Sequence, residues 1–317
     1  MSSAVSDLLT TSVHAAPLHQ IKDAVTEAAR VNLYIKREDL IHPQISGNKW
    51  RKLKYNLLQA LQEGKDTLLT FGGAYSNHIY ALAAAGKLYN FHTIGIIRGE
   101  AQTPLNATLT FAQACGMQLY YLDRMAYKAK EQSALLSRLQ AQYGRFYLIP
   151  EGGSNALAVK GCTEIVRDIA IAYDYLCLAC GTGGTMAGLV ASAPHKTIIG
   201  ISALKGGAFL YQEVKGLLES YASIDPSHPQ PYLTATNWHI ETEYHFGGYA
   251  KVKRELIEFI RQFEQTHGIP LEQVYTGKML YGVYNLLQKG YFRKNSTVVV
   301  LHTGGLQGRS TVLDNAE

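Results

Sequence analysis

The chain has 317 residues, of which 47% are apolar and 17% charged, with a formal net charge of +5. This length suits about two domains of about 150 residues, and the apolar share supports a large core, which excludes a disordered chain. Positive charge is scattered in short groups such as Arg51-Lys52 and Lys251-Val-Lys-Arg254, so a polyanion surface and a nucleic-acid partner are not expected.

Met1 to Leu18 lacks a basic region followed by an unbroken apolar run, so no signal peptide is expected. No stretch reaches the roughly 20 apolar residues of a spanning helix, so no membrane partner is expected either. Leu53, Leu57, Leu58 and Leu61 recur at helical spacing up to Gly64. A buried strand is predicted over Thr67–Phe71, then an Ala-rich helix from Ile79 to Ala85 ending at Gly86. The next strand is Thr93–Ile97, and Pro104 is placed in the first turn of a following helix. Further strands are predicted at Leu119–Leu122, Phe146–Ile149, Tyr175–Cys180, Thr197–Ser202 and Thr297–His302. Strands alternating with helices predict an α/β fold of mostly parallel sheets flanked by helices.

Asp225-Pro-Ser-His-Pro-Gln-Pro231 is the loosest segment and no clean linker divides the chain. The second domain is therefore expected as an insertion: residues 1–52 and 158–317 form a large domain and 53–157 a small one. Cys177 and Cys180 form the chain's CxxC pair, inside an apolar strand pattern. Positions three apart face opposite sides of a strand, so these are read as buried apolar residues rather than zinc ligands. Free thiols without a leader suggest the cytoplasm. His239, Glu241, Glu243 and His245 alternate, and on one strand they would share a face. A polar edge-strand face explains them as well as a metal would, and no metal is expected.

Glycine-rich turns follow three predicted strands, at Gly72-Gly73, Gly181-Thr-Gly-Gly-Thr185 and Thr303-Gly-Gly305. In open parallel sheets such turns lie where ligands bind. Gly181–Thr185 also precedes a helix predicted near Met186. Its bare backbone amides, two threonine hydroxyls and the helix dipole make a phosphate cradle. The dinucleotide pattern fails because Met186 holds the third glycine position, and no Gly-Lys-Ser/Thr closes a nucleoside-triphosphate loop. A phosphorylated cofactor is then the natural candidate. Ser46-Gly-Asn-Lys-Trp-Arg-Lys52 is read as lying just before the helix at Leu53. A lysine desolvated there beside the cations Arg51 and Lys52 can lose its proton and form a Schiff base. In Gly72-Gly-Ala-Tyr-Ser-Asn-His78, Ser76 and Asn77 suit a helix N-cap or a carboxylate site, and His78 suits either a structural role or acid–base work.

These segments, in this order, resemble the family of 1-aminocyclopropane-1-carboxylate deaminases and D-cysteine desulfhydrases. Members are fold type II pyridoxal-phosphate enzymes related to the tryptophan synthase β subunit, with two open twisted sheets of mostly parallel strands. The resemblance runs from Tyr34-Ile-Lys-Arg-Glu-Asp39 to His302-Thr-Gly-Gly305 and includes Gly47-Asn-Lys49, Ser76-Asn-His78, Gly152-Gly-Ser-Asn155 and Val274-Tyr-Thr-Gly-Lys278. It implies pyridoxal 5′-phosphate as cofactor, a small amino acid as substrate and a homodimer as assembly. By the same resemblance Lys49 carries the cofactor and shuttles the proton, with Ser76, Tyr249 and Tyr275 as its catalytic companions. Lys52, Gly181, Thr182, Gly183, Gly184 and Thr185 would hold the phosphate, Asn77 the ring oxygen and Thr303 the ring nitrogen side.

Family deaminases resemble Val-Tyr-Glu-Gly where this chain has Val274-Tyr-Thr-Gly277, and tend to carry Leu where it has Thr303. A glutamate at the ring nitrogen makes a stronger electron sink than a threonine, and opening a cyclopropane needs it. Loss of a thiolate, with a parent pKa of about 8.5, needs less. Both positions therefore favour β-elimination from D-cysteine to pyruvate, sulfide and ammonia. The alternatives are the deaminase, a lyase acting on another β-substituted D-amino acid, and a protein that binds the cofactor without turnover.

Overall fold

The computed structural model describes residues 16–101, 103–226 and 230–314. A six-stranded sheet has the order β1 (Leu18–Ile21), β2 (Asn32–Lys36), β10 (Thr297–Leu301), β7 (Tyr175–Cys180), β8 (Thr197–Ser202) and β9 (Trp238–Glu241). Only the β1–β2 pair is antiparallel. At its centre Val298 pairs with Leu33 on one side and Tyr175 on the other, and Val298 to Leu301 have no exposed surface. Continuous Val and Leu, without alternation, is what a parallel strand covered on both faces requires. A second, fully parallel sheet has the order β5 (Gln118–Leu122), β4 (His92–Arg98), β3 (Thr67–Gly73) and β6 (Tyr147–Ile149). The fold is thus the α/β arrangement of two sheets flanked by helices that the sequence predicts.

Three helices position the site. α2 (Asn48–Gln62) buries Trp50, Leu53, Leu57 and Leu58, α7 (Ala156–Arg167) lies against it, and α8 (Gly184–Ser192) packs on α7. Close approach depends on missing side chains. A Cβ at Gly161 of α7 would stand 1.8 Å from the Arg51 carbonyl oxygen, and one at Gly188 of α8 would stand 2.3 Å from Cys162 Cβ. Either contact is impossible for a larger residue, so these glycines set the spacing of helices that carry Lys49, Lys52 and the cradle.

Several boundaries differ from expectation. α2 starts at Asn48, so Lys49 lies inside its first turn instead of before the helix. α3 (Asn77–Tyr89) runs through Gly86, which packs where a Cβ would meet Thr93 Cγ2 at 2.3 Å, and ends at Asn90 in the left-handed conformation. Pro104 precedes α4 (Ala107–Ala114), whose first turn is capped by Asn106. Strands β1 and β2 were not predicted, and the edge strand read for His239 to His245 is present only as β9. β9 ends at Glu241, so Glu243 and His245 lie beyond it and the four alternating residues do not share a strand face. His239 pairs with Glu241 at 3.3 Å. Cys162, Cys177 and Cys180 are buried and unbridged. Of the proline-rich connection, residues 227–229 lie outside the described residues, as does Met1 to Ala15. Among the described residues no helix is long and apolar enough to cross a membrane.

Candidate active site

The carboxyl ends of β3, β4, β7 and β10 converge on a cavity of about 490 Å³. Its lining includes Lys49, Lys52, Ser76, Asn77, Gly181 to Thr185, Tyr249, Tyr275 and Thr303, all singled out in the sequence for catalysis or cofactor binding. This is where ligands are expected on parallel sheets, because strand ends present free amides and the following loops carry side chains.

The cradle forms at the turn from β7 into α8. Gly183 has φ +77°, a conformation glycine adopts freely, and it lets the chain fold back so that α8 begins at Gly184. Lys52 Nζ donates to Ser154 Oγ at 2.9 Å, the Gly152 carbonyl at 3.0 Å and Thr182 Oγ1 at 3.4 Å. Ser154 and Thr182 hydroxyls are 2.6 Å apart, and Asn48 Nδ2 donates to Thr185 Oγ1 at 2.8 Å. A Cβ on Gly184 would lie 2.7 Å from Ser154 Oγ and 3.0 Å from Lys52 Nζ. One methyl group would therefore press on that cluster. A buried ammonium, hydroxyls and helix amides gathered on one wall of the cavity suit a phosphate. Asn48 and Ser154 were not foreseen as site residues. Ser154 belongs to the Gly152-Gly-Ser-Asn155 motif, which was the available signal.

Lys49 is one turn before Lys52 on the same helix face. Burial first, then the Lys52 ammonium, lower its amine to about 7, and among the described residues no hydrogen bond engages it. Arg51, expected as a second neighbouring cation, points the other way. It binds Glu38 through Nε at 3.1 Å and Asp168 through Nη2 at 2.6 Å, and so anchors α2 without contributing to the lysine's shift. The chain just before Lys49 is locked onto β10. Gly47 has φ +65°, and a Cβ there would lie 1.9 Å from the Thr303 carbonyl oxygen. That close approach fixes Gly47, two residues before Lys49, against Thr303.

Ser76 caps α3, its Oγ accepting from the N–H groups of His78 at 3.2 Å and Ile79 at 3.3 Å. Its hydroxyl hydrogen is not used by those bonds and the residue still lines the cavity. Asn77 Oδ1 accepts from Gln307 Nε2. His78 is 1% exposed. The Thr70 hydroxyl donates to the Ile149 carbonyl at 2.7 Å, so it must accept from His78 Nε2 at 2.9 Å. That fixes the tautomer with the hydrogen on Nε2, while burial and the lysines Lys49 and Lys52 hold the pKa well below the usual value. A neutral, tethered imidazole is a structural element here and no ready acid.

Tyr249 and Tyr275 stand edge to face with ring centroids 6.1 Å apart. Burial raises both hydroxyls above their ordinary pKa, so both are protonated at neutral pH. Tyr275 is held by Glu272, a residue not foreseen, which is 1% exposed and accepts from the N–H groups of Val274 at 2.6 Å, Tyr275 at 2.7 Å and Thr276 at 2.6 Å. Glu272 also takes the Thr276 hydroxyl at 3.1 Å. Thr276 is fully buried and does not line the cavity, contrary to its expected place at the ring nitrogen, whereas Thr303 does. No linear pattern ties a glutamate to the threonine four residues later; the turn between them does.

The family of pyridoxal-phosphate dependent enzymes matches residues 9–304. A candidate 1-aminocyclopropane-1-carboxylate deaminase of Pyrococcus abyssi is 30% identical over 294 residues, 88% of this chain and 86% of that protein. A D-cysteine desulfhydrase of Salmonella newport is 29% identical over 289 residues, 86% of each chain. The crystal structure of a deaminase homologue superposes with a TM-score of 0.79 at 27% identity, covering 97% of this chain and 96% of that one. A hydrogen sulfide-producing enzyme of Fusobacterium nucleatum shares the fold, with a TM-score of 0.66 at 16% identity over 97% and 99%. The cavity fits the cofactor this family uses: an anion cradle, a lysine amine that can be neutral, and polar groups at Asn77 and Thr303 to meet a ring. The chain therefore belongs to the pyridoxal-phosphate-dependent enzymes, in the group that contains both 1-aminocyclopropane-1-carboxylate deaminases and D-cysteine desulfhydrases.

Proposed function

We propose that this enzyme eliminates the thiol of D-cysteine, yielding pyruvate, sulfide and ammonia with uptake of one water. The observation that carries the reading is a single amine near neutrality, Lys49 at about 7, in a cavity it shares with two tyrosines that keep their protons. One base with two hydrogen-bond donors suits a substrate that has an α-hydrogen to lose. 1-Aminocyclopropane-1-carboxylate has none. Bound pyridoxal phosphate supplies the electron sink.

In this reading Lys52, Ser154, Thr182 and Thr185 hold the phosphate, and Lys49 takes the α-proton onto Nζ. The hydroxyl of Ser76, at the start of α3, receives the substrate carboxylate, which the helix dipole favours. Tyr249 and Tyr275 donate toward the departing sulfur. A thiol with an ordinary pKa of about 8.5 leaves readily once hydrogen-bonded. Of the two threonines expected at the ring nitrogen, Thr303 alone remains a candidate, since Thr276 gives its hydroxyl to Glu272. A hydroxyl there supports a moderate sink, enough for thiolate loss. Pyruvate and sulfide measured with D-cysteine and L-cysteine, and 2-oxobutanoate and ammonia measured with 1-aminocyclopropane-1-carboxylate, test the proposal. Release from the cyclopropane substrate alone would reverse it. The proposed assembly is a homodimer, and a sedimenting species of monomer mass at micromolar protein would rule that out.

A further inference from the structure

Lys278 lies in the first turn of α11 (Thr276–Gln288), is 1% exposed and makes no ion pair among the described residues. Its ammonium donates to the carbonyls of Gly248 at 2.8 Å, His245 at 2.9 Å and Ala203 at 3.4 Å. An ammonium has three hydrogens, and all three are spent on main-chain oxygens. Ala203 follows β8, while His245 and Gly248 belong to the segment 242–253 after β9.

That segment is strained. Phe246, Gly247, Gly248 and Ala250 have φ of 54°, 102°, 124° and 55°. Two of the four carry side chains, and such conformations persist only where their surroundings impose them. Phe246 is anchored edge-on to Tyr281, with ring centroids 4.9 Å apart. The backbone itself is anchored by Lys278. His245 O and Gly248 O each also accept a main-chain N–H, from Gly248 at 3.0 Å and Lys251 at 3.1 Å, so both carbonyls use both lone pairs. Between the strained positions sits Tyr249, which lines the cavity beside Tyr275. A buried ammonium is costly unless fully hydrogen-bonded, and an apolar side chain of similar size would be cheaper to bury. Its charge here binds a loop to a helix.

We propose that Lys278 is a positioning residue: its ammonium clamps the Phe246–Ala250 turn to α11 and thereby holds Tyr249 against Tyr275 on the cavity wall. The inference rests on the reading that Tyr249 faces the substrate. The test uses the cofactor-loaded enzyme and the variants Lys278→Met, Lys278→Gln, Tyr249→Phe and the double variant Lys278→Met/Tyr249→Phe. Lys278→Gln, which keeps two donors, serves if the methionine variant does not fold. Amide exchange in 242–253 is expected to quicken at least about tenfold in Lys278→Met while β10, residues 297–301, is unchanged. On D-cysteine, kcat should fall as far in Lys278→Met as in Tyr249→Phe, and the double variant should be no slower than the slower single one. Unchanged exchange in 242–253, exchange quickened equally in β10, or multiplying losses in the double variant would overturn the clamp. A wild-type enzyme inactive on D-cysteine would sink the substrate reading instead, and exchange would then decide the clamp by itself.

Discussion

At one end of the cavity Lys52 spends its donors on Gly152, Ser154 and Thr182, and a single Cβ at Gly184 would press on Ser154 and Lys52. At the other end Tyr249 rides on a turn with four positive φ values, tied down by a lysine from another helix. Both ends join segments far apart in sequence: Lys52 meets partners 100 to 130 residues away and Lys278 meets carbonyls 30 to 75 residues away. The first end is nonetheless carried by local motifs, a glycine turn, a helix start and residues three apart on one helix, whereas the second rests on main-chain carbonyls that no motif marks. A phosphate is the same in every enzyme of this kind, so its cradle tolerates little change. The substrate end can vary in loop geometry while the cradle stays fixed, and relatives that share the fold can carry different activities.

The largest effect separating the two ends is expected from Lys49→Ala, which should lower turnover by about a hundredfold to ten-thousandfold and remove the cofactor's protein-bound absorbance band. A band that survives would place the cofactor on another lysine. Next comes Gly47→Ala, which puts a methyl group 1.9 Å from the Thr303 carbonyl oxygen at a φ of +65°. A stability loss of about 1–3 kcal/mol or more, seen in thermal denaturation, is expected. A wild-type melting temperature would show that the lock between this turn and β10 is loose.

Lys52→Met should weaken cofactor affinity about tenfold to a hundredfold, the worth of a charge-assisted bond, with little change in KM for the amino acid once cofactor is saturating. A change in KM alone would put Lys52 at the substrate end. Ser76→Ala should cost about 0.5–2 kcal/mol through the lost cap of α3. If Ser76 also holds the substrate carboxylate, KM rises as well; an unchanged KM would confine it to capping. The smallest effect is on pH. Capture of added pyridoxal phosphate by cofactor-free enzyme requires the neutral amine, so its rate should climb as pH rises through about 7, where Lys49 loses its proton. A midpoint near the ordinary lysine value would contradict the desolvated site.

The cradle was legible in the sequence because glycines between a strand pattern and a helix have few other uses. The parallel core was legible from runs such as Thr297-Val-Val-Val-Leu301, and the remaining site residues from motifs shared with a known family. The start of α2 was not, because Gly47 caps it without a side-chain bond and the hydrophobic periodicity begins only at Leu53. The direction of Arg51 was hidden for a different reason: its partners Glu38 and Asp168 lie 13 and 117 residues away. Glu272 carries no linear signature and Lys278, although it closes the Val274–Lys278 motif, carries no linear sign of its role, since one satisfies main-chain amides and the other main-chain carbonyls. Thr276 illustrates the same limit. Its place in a motif suggested the ring nitrogen, but the neighbouring turn gives its hydroxyl to Glu272.

The central claim is tested most directly by incubating the cofactor-loaded enzyme and its Lys49→Ala variant with D-cysteine while pyruvate and sulfide are followed together. Equal amounts of both products from the wild type, and neither from the variant, are the predicted result. No sulfide from the wild type, with 2-oxobutanoate and ammonia formed from 1-aminocyclopropane-1-carboxylate instead, would contradict it.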